Sequence, residues 1–108
     1  MRILFDQGVP APLRDYLTNH TVATAYELAW STLENGILLA EGERAGFELF
    51  ITTDQNLRYQ QNVRGLPMAV IVLVALTNRL DDLVPLMPQV RTVLAAIQPG
   101  AVVEVQAS

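Results

Sequence analysis

Two aspartates stand directly after apolar runs, and acids in that position can do chemistry. Asp6 follows "RILF" near the start of the chain, and Asp54 follows "ELFITT". A polar residue delivered at the end of a buried strand reaches a loop rim, where binding and catalytic groups concentrate. The same position suits a turn-former or helix cap, because a carboxylate readily accepts backbone N–H groups. Turn formation explains either aspartate alone; the pair says more. Carboxylates at neighbouring strand ends repel, and a cation or a shared proton has to offset that repulsion. A hard divalent ion such as Mg²⁺ is the usual solution, held by one or two carboxylates and otherwise by water and phosphate.

Other groups surround this pair in the sequence. "TTDQN" supplies Thr52, Thr53 and Asn56 beside Asp54, and "LTNR" supplies Thr77, Asn78 and Arg79 after another apolar run. Asn78 and Arg79 are candidates for orienting a substrate, or else they form a turn and a solvated helix start. Glu34 and Asn35 open "ENGILL", where an acid is favoured by the helix dipole; a metal role for Glu34 is the alternative. "NLRYQQN" (56–62) offers Arg58 and Tyr59 for phosphate contact and stacking, or is simply an exposed helix. His20 reads as structural and Trp30 as a core or lid residue. There is no phosphate-binding glycine loop, Ser/His/Asp arrangement or zinc spacing, so covalent catalysis has no candidate.

The elements that must position these groups are short. "RILF" (2–5), "ELFITT" (48–53) and "MAVIVLVA" (68–75) are continuous apolar runs, the pattern of parallel strands covered on both faces. "HTVATA" (20–25) is a weaker strand, and the alternating "AVVEVQ" (101–106) suits a sheet edge. Helical spacing runs through 11–19, through 34–46 ending at Gly46, and through 81–97 with prolines marking a broken start. Strands alternating with helices predict an α/β domain with a central, mainly parallel sheet and helices on both faces. Ligands of such sheets bind outside the carboxyl ends of the strands, where strand order reverses.

A length of 108 residues, 51% hydrophobic, fits one domain spanning 1–108. The chain has no cysteine, which excludes a disulfide scaffold and makes a reducing cytoplasm the expected location. The first apolar run is too short for a signal peptide. The longest, at 68–76, falls well below the roughly 18–20 residues of a membrane helix, so no membrane association is expected. A net charge of −4 argues against nonspecific duplex binding, which depends on phosphate neutralisation. It leaves room for a nuclease whose acids hold a metal. All seven basic residues are arginine, which suits bidentate phosphate recognition and equally reflects GC-rich coding.

"MRILFDQGVP", "ELAWSTLENGILLAE", "FITTDQNLRYQQN" and "VLVALTNR", in that order, resemble the small PIN-like proteins of bacteria, relatives of the Mut7-C and VapC-type PIN domains. The resemblance runs from Met1 to about Arg79. It implies a three-layer α/β/α fold with strand order 3-2-1-4-5 and a metal-dependent ribonuclease site. In such a site, acids at strand ends hold Mg²⁺ or Mn²⁺, which activate water and steady the leaving oxygen. By position, Asp6 matches the first-strand acid and Asp54 the acid after the third strand. Glu34 and Asn35 fall where relatives place an acid at a helix start, and Asn78 and Arg79 lie in the polar motif after the fourth strand. The resemblance also implies RNA as substrate, an endoribonuclease activity, and an antitoxin protein as partner in a toxin–antitoxin pair.

The chain departs from that pattern in a consistent direction. Gln7-Gly8 stand where relatives read Glu-Asn, Asn56 replaces a second aspartate, and Ile37 occupies a place where relatives carry Glu. Amides and apolar groups thus replace several acids. The second reading is accordingly a catalytically degenerate PIN-like module for protein binding or homodimerisation. A third, the phospho-acceptor receiver, would use Asp54 and Thr77, but the chain has no lysine to pair with a phosphorylated aspartate.

Overall fold

The computed structural model describes residues 1–57 and 67–107. Among them, five strands form one sheet: β1 (Arg2–Phe5), β2 (Thr21–Thr24), β3 (Leu49–Thr52), β4 (Ala69–Val74) and β5 (Val102–Gln106). Each strand begins and ends within a residue of its apolar run, and every pairing is parallel. Parallel neighbours need crossovers. These include a 3-10 helix at Ala11–Tyr16, α1 (Asn35–Arg44), and α2 (Leu80–Leu83) with α3 (Met87–Leu94).

Alternate strand residues feed two cores. Ile3, Phe5, Leu49, Ile51, Ile71 and Leu73 pack with Leu13, Leu83, Met87 and Val90 on one face. Leu4, Phe50, Val70 and Val72 pack with Leu38, Leu39 and Phe47 on the other. Helical segments therefore cover both faces, and the middle strands are apolar but for Arg2 at the start of β1 and Thr52 at the end of β3. All four residues of β3 are buried.

The strand order is 2-1-3-4-5, which corrects the expected 3-2-1-4-5. The reason lies in the strands themselves. An order of 3-2-1-4-5 would put "LFIT" at an edge and "TVAT" inside the sheet. "TVAT" is only partly buried, with Thr21 exposed, whereas "LFIT" hides every side chain. The sheet gives its interior to the strand that benefits from two covered faces. The edge position expected for β5 holds, with Val105 buried between exposed Glu104 and Gln106.

Prolines shape the helical passages. The segment after β1 makes only a 3-10 helix, with Pro10 as its cap and Pro12 in its first turn. The stretch from Leu80 to Leu94 passes from α to 3-10 at Val84–Leu86 and back to α. Pro85 and Pro88 there lack the N–H groups a continuous α-helix would use.

Candidate functional site

In this order the connections leave β1 and β3 in opposite directions, so the switch point lies between their carboxyl ends. Asp6 sits there because its N–H continues the ladder, donating to the Ile51 carbonyl at 2.9 Å. One residue further along β3 is Thr52, completely buried. Its hydroxyl donates to Asp6 Oδ2 at 2.7 Å and accepts the Asp54 N–H at 3.0 Å. A single buried hydroxyl thus joins the two aspartates.

The remaining carboxylate oxygens are also engaged. Asp6 Oδ1 accepts the Gln7 N–H at 2.8 Å. Asp54 Oδ1 accepts the Asn56 N–H at 3.0 Å, closing an Asx-type turn. Asn35 Nδ2, at the first residue of α1, donates to Asp54 Oδ2 at 2.8 Å. A Cβ built on Gly8 would lie 2.6 Å from Thr53 Oγ1 and 3.1 Å from Asn78 Nδ2. The absence of a side chain at Gly8 lets the loop after β1 approach both groups, and it places Asn78 at the margin of the cluster.

Asp6, Asp54, Asn35 and, through its backbone, Asn56 are therefore brought together. Glu34 is not joined to them: it is the exposed N-cap of α1 and makes no side-chain capping bond. Arg79 is an exposed N-cap of α2, its N–H donated to Thr77 Oγ1 at 3.0 Å. Arg58, like Tyr59, lies outside the described residues. Among the described residues, no group of three or more His, Asp or Glu side chains is arranged to hold a metal ion.

All the donors on Asp6 and Asp54 are neutral, and among the described residues the ion pairs are Arg14–Glu27 and Arg44–Glu41. Among the described residues, the two carboxylates thus face only neutral dipoles. Each oxygen accepts one bond and retains a further lone pair. These are hard oxygen donors in the number that suits Mg²⁺ or Mn²⁺ with water completing the shell. Two carboxylates do not supply a closed cage.

A cleft of about 350 Å³ opens beside the cluster, lined by Asp6, Gln7, Val9, Thr24, Tyr26 and Glu27 among others. Its far wall is a turn that the sequence reading missed. Thr24 Oγ1 accepts the Glu27 N–H at 3.0 Å, while Glu27 Oε1 accepts the Thr24 N–H at 2.9 Å and Arg14 Nη2 at 2.6 Å. The Arg14 hydrogen bond, then that of the Thr24 N–H, holds the Glu27 pKa below the usual carboxylate value. The signal was present: Thr-x-x-Glu at 24–27 is a capping box. Thr52 also left a trace, as a polar residue closing an otherwise apolar strand. A larger hollow of about 430 Å³, lined by Met1, Phe47 and Met68, lies at the amino ends of the strands, away from these groups.

Comparison with family models, with curated proteins and with solved structures gave no match.

Proposed function

We propose that the chain is a PIN-like domain of three-layer α/β/α architecture. It holds Mg²⁺ or Mn²⁺ on Asp6 and Asp54 and cleaves RNA internally. The observation that carries this reading is the buried Thr52 hydroxyl, which donates to the Asp6 carboxylate and accepts the Asp54 backbone N–H, so that two aspartates without a basic partner among the described residues meet at the switch point of a parallel sheet. The order of motifs along the sequence supports the PIN-like assignment. A bound ion would supply an activated water and positive charge for the leaving oxygen.

The chain's own residues do the positioning. Thr52 fixes the rotamer of Asp6, and Asn35 anchors Asp54 to the start of α1. Glu34, one residue earlier, is exposed and stands apart from the pair, so the ion rests on Asp6 and Asp54 with water. Asn56, Asn78 and Arg79, with Arg58, are the polar groups proposed to receive the RNA backbone around that rim. In this reading the protein is the cytoplasmic toxin of a toxin–antitoxin pair and is restrained by an antitoxin protein.

The test is RNA cleavage by the purified chain with Mg²⁺ or Mn²⁺. Cleavage should vanish with chelator and in Asp6→Asn, while the variant keeps its fold by circular dichroism. A folded wild-type chain that leaves RNA intact under both metals rejects the ribonuclease reading.

A second reading, a degenerate PIN-like module for protein contact or homodimerisation, is favoured by one observation. Every oxygen of both carboxylates already accepts a hydrogen bond from the protein. If that is their whole task, Asp6→Asn leaves partner binding unchanged. The receiver reading shares the doubly wound order 2-1-3-4-5, but the absence of lysine removes its phosphate-pairing cation.

A further inference from the structure

We infer that the cleft between the loop after β1 and the Thr24–Glu27 turn is a nucleotide subsite, in which Tyr26 stacks on an unpaired base of single-stranded RNA. The inference rests on the RNA-cleaving reading above and adds to it where the substrate lies.

Three observations carry it. Tyr26 is 78% exposed and lines the cleft, so its ring is open to an occupant. The ring is nevertheless presented by a well-tied turn. The reciprocal Thr24–Glu27 bonds are joined by Ala25 N–H to the Phe5 carbonyl at 2.9 Å, Ala29 N–H to the Tyr26 carbonyl at 3.0 Å and Trp30 N–H to the Ala25 carbonyl at 2.8 Å. Further along the turn, Ala29 takes a positive φ of 61°, a conformation an L-residue keeps only where its surroundings impose it. A capping box that starts no regular helix has become a pedestal for one aromatic ring. Third, the cleft beside that ring has Asp6 on its lining, so an occupant would reach the candidate cation site directly.

The cleft's chemistry suits a base more than a phosphate. Val9, Pro10 and Ala11 provide an apolar floor, while Gln7 provides an amide able to donate and accept at a base edge. Among the lining residues there is no basic side chain to hold a phosphate, and the nearby Arg14 is engaged by Glu27 at 2.6 Å. That pairing also reduces the repulsion Glu27 would exert on a polyanion. Stacking is therefore the main source of affinity, and stacking tolerates every base.

The experiment is a titration of the full chain with a short fluorescein-labelled single-stranded RNA in chelator, read by anisotropy at several salt concentrations. The wild type should bind with a shallow salt dependence. Tyr26→Ala should weaken binding by about tenfold, while Tyr26→Trp retains it. Because the ring is exposed, both variants should keep wild-type circular dichroism spectra. Thr24→Val, which loosens the turn without touching the ring, should give a partial loss. Failure of wild-type binding in chelator overturns the inference, and so does equal affinity of wild type and Tyr26→Ala. Tyr26-dependent binding without cleavage under Mg²⁺ or Mn²⁺ would reject the ribonuclease and keep the subsite. Cleavage with unchanged KM in Tyr26→Ala would do the reverse.

Discussion

The carboxyl ends of β3 and β4 are built from the same local chemistry and differ in what it joins. After β3, Thr52 accepts the N–H of the residue two further on and donates to the Asp6 carboxylate. After β4, Thr77 likewise accepts the Arg79 N–H and donates to the Asp82 carboxylate. Thr52, however, is buried and reaches an aspartate 46 positions away on another strand; Thr77 is exposed and reaches one five positions away. The first network ties two strands and a helix into one site. The second only starts α2. A threonine–aspartate pair becomes a candidate site through its position at a topological switch, not through its own chemistry.

Paired substitutions break this comparison most directly. Thr52→Val leaves the half-buried Asp54 N–H and Asp6 Oδ2 without this partner and should destabilise by about 1–3 kcal/mol. Thr77→Val exposes the equivalent groups to water, and its effect should be about 0.5 kcal/mol or less. Urea midpoints of the two variants measure the difference; equal shifts would remove the distinction.

Asn35 sharpens the same contrast. Asn35→Asp replaces a donor on Asp54 with a like charge and should cost about 1 kcal/mol without metal. If the site takes a cation, Mn²⁺ should recover that loss and more in this variant. A melting temperature indifferent to Mn²⁺ would speak against a cation there.

A smaller effect is expected at Gly8. Gly8→Ala presses a methyl against Thr53 and Asn78. Both side chains can rotate aside, so the loss should stay below about 1 kcal/mol. The change should appear as shifted Asn78 side-chain amide resonances.

The smallest is a pH effect at the end of β2. The Glu27 pKa lies below its ordinary 4.5, mainly through Arg14. A carboxylate with a depressed folded pKa contributes stability above its unfolded value and loses it as pH falls through the folded one. The wild type should therefore lose a slight stability advantage over Glu27→Gln on acidification below about 4.5. The side chain of Glu27 is 45% exposed, so solvent screening keeps the difference small. Parallel urea titrations of the two proteins would measure it.

The strands were legible because "RILF", "LFIT" and "AVIVLV" have no polar break, and β5 announced its edge by alternating. Their order was also partly legible. The polar "TVAT" is poorer for an interior place than "LFIT", and that composition argued against 3-2-1-4-5. The resemblance carried the other order. That correction matters for the site, since only an adjacent β1 and β3 let Thr52 touch Asp6. The break at Pro85 and Pro88 was legible in 81–97, whereas 11–19 was read as helical and Pro10 with Pro12 leave it only a 3-10 helix over Ala11–Tyr16. At the start of α1 the reading left Glu34 as a helix stabiliser or a metal ligand and offered Asn35 beside it as a candidate for substrate. The register of the helix instead turns Asn35 toward Asp54, and a one-residue register is not encoded in composition. Tyr26 escaped notice because Thr24-x-x-Glu27 normally opens a helix, and here it ends in a turn.

The most direct measurement of the central claim is a Mn²⁺ titration of the isotopically labelled chain, followed by paramagnetic broadening of its amide resonances. With a cation held between Asp6 and Asp54, Gln7, Asn35, Thr53 and Asn56 should broaden first, and Asp6→Asn or Asp54→Asn should abolish the effect. Broadening that starts elsewhere, or that survives both substitutions, would contradict the account.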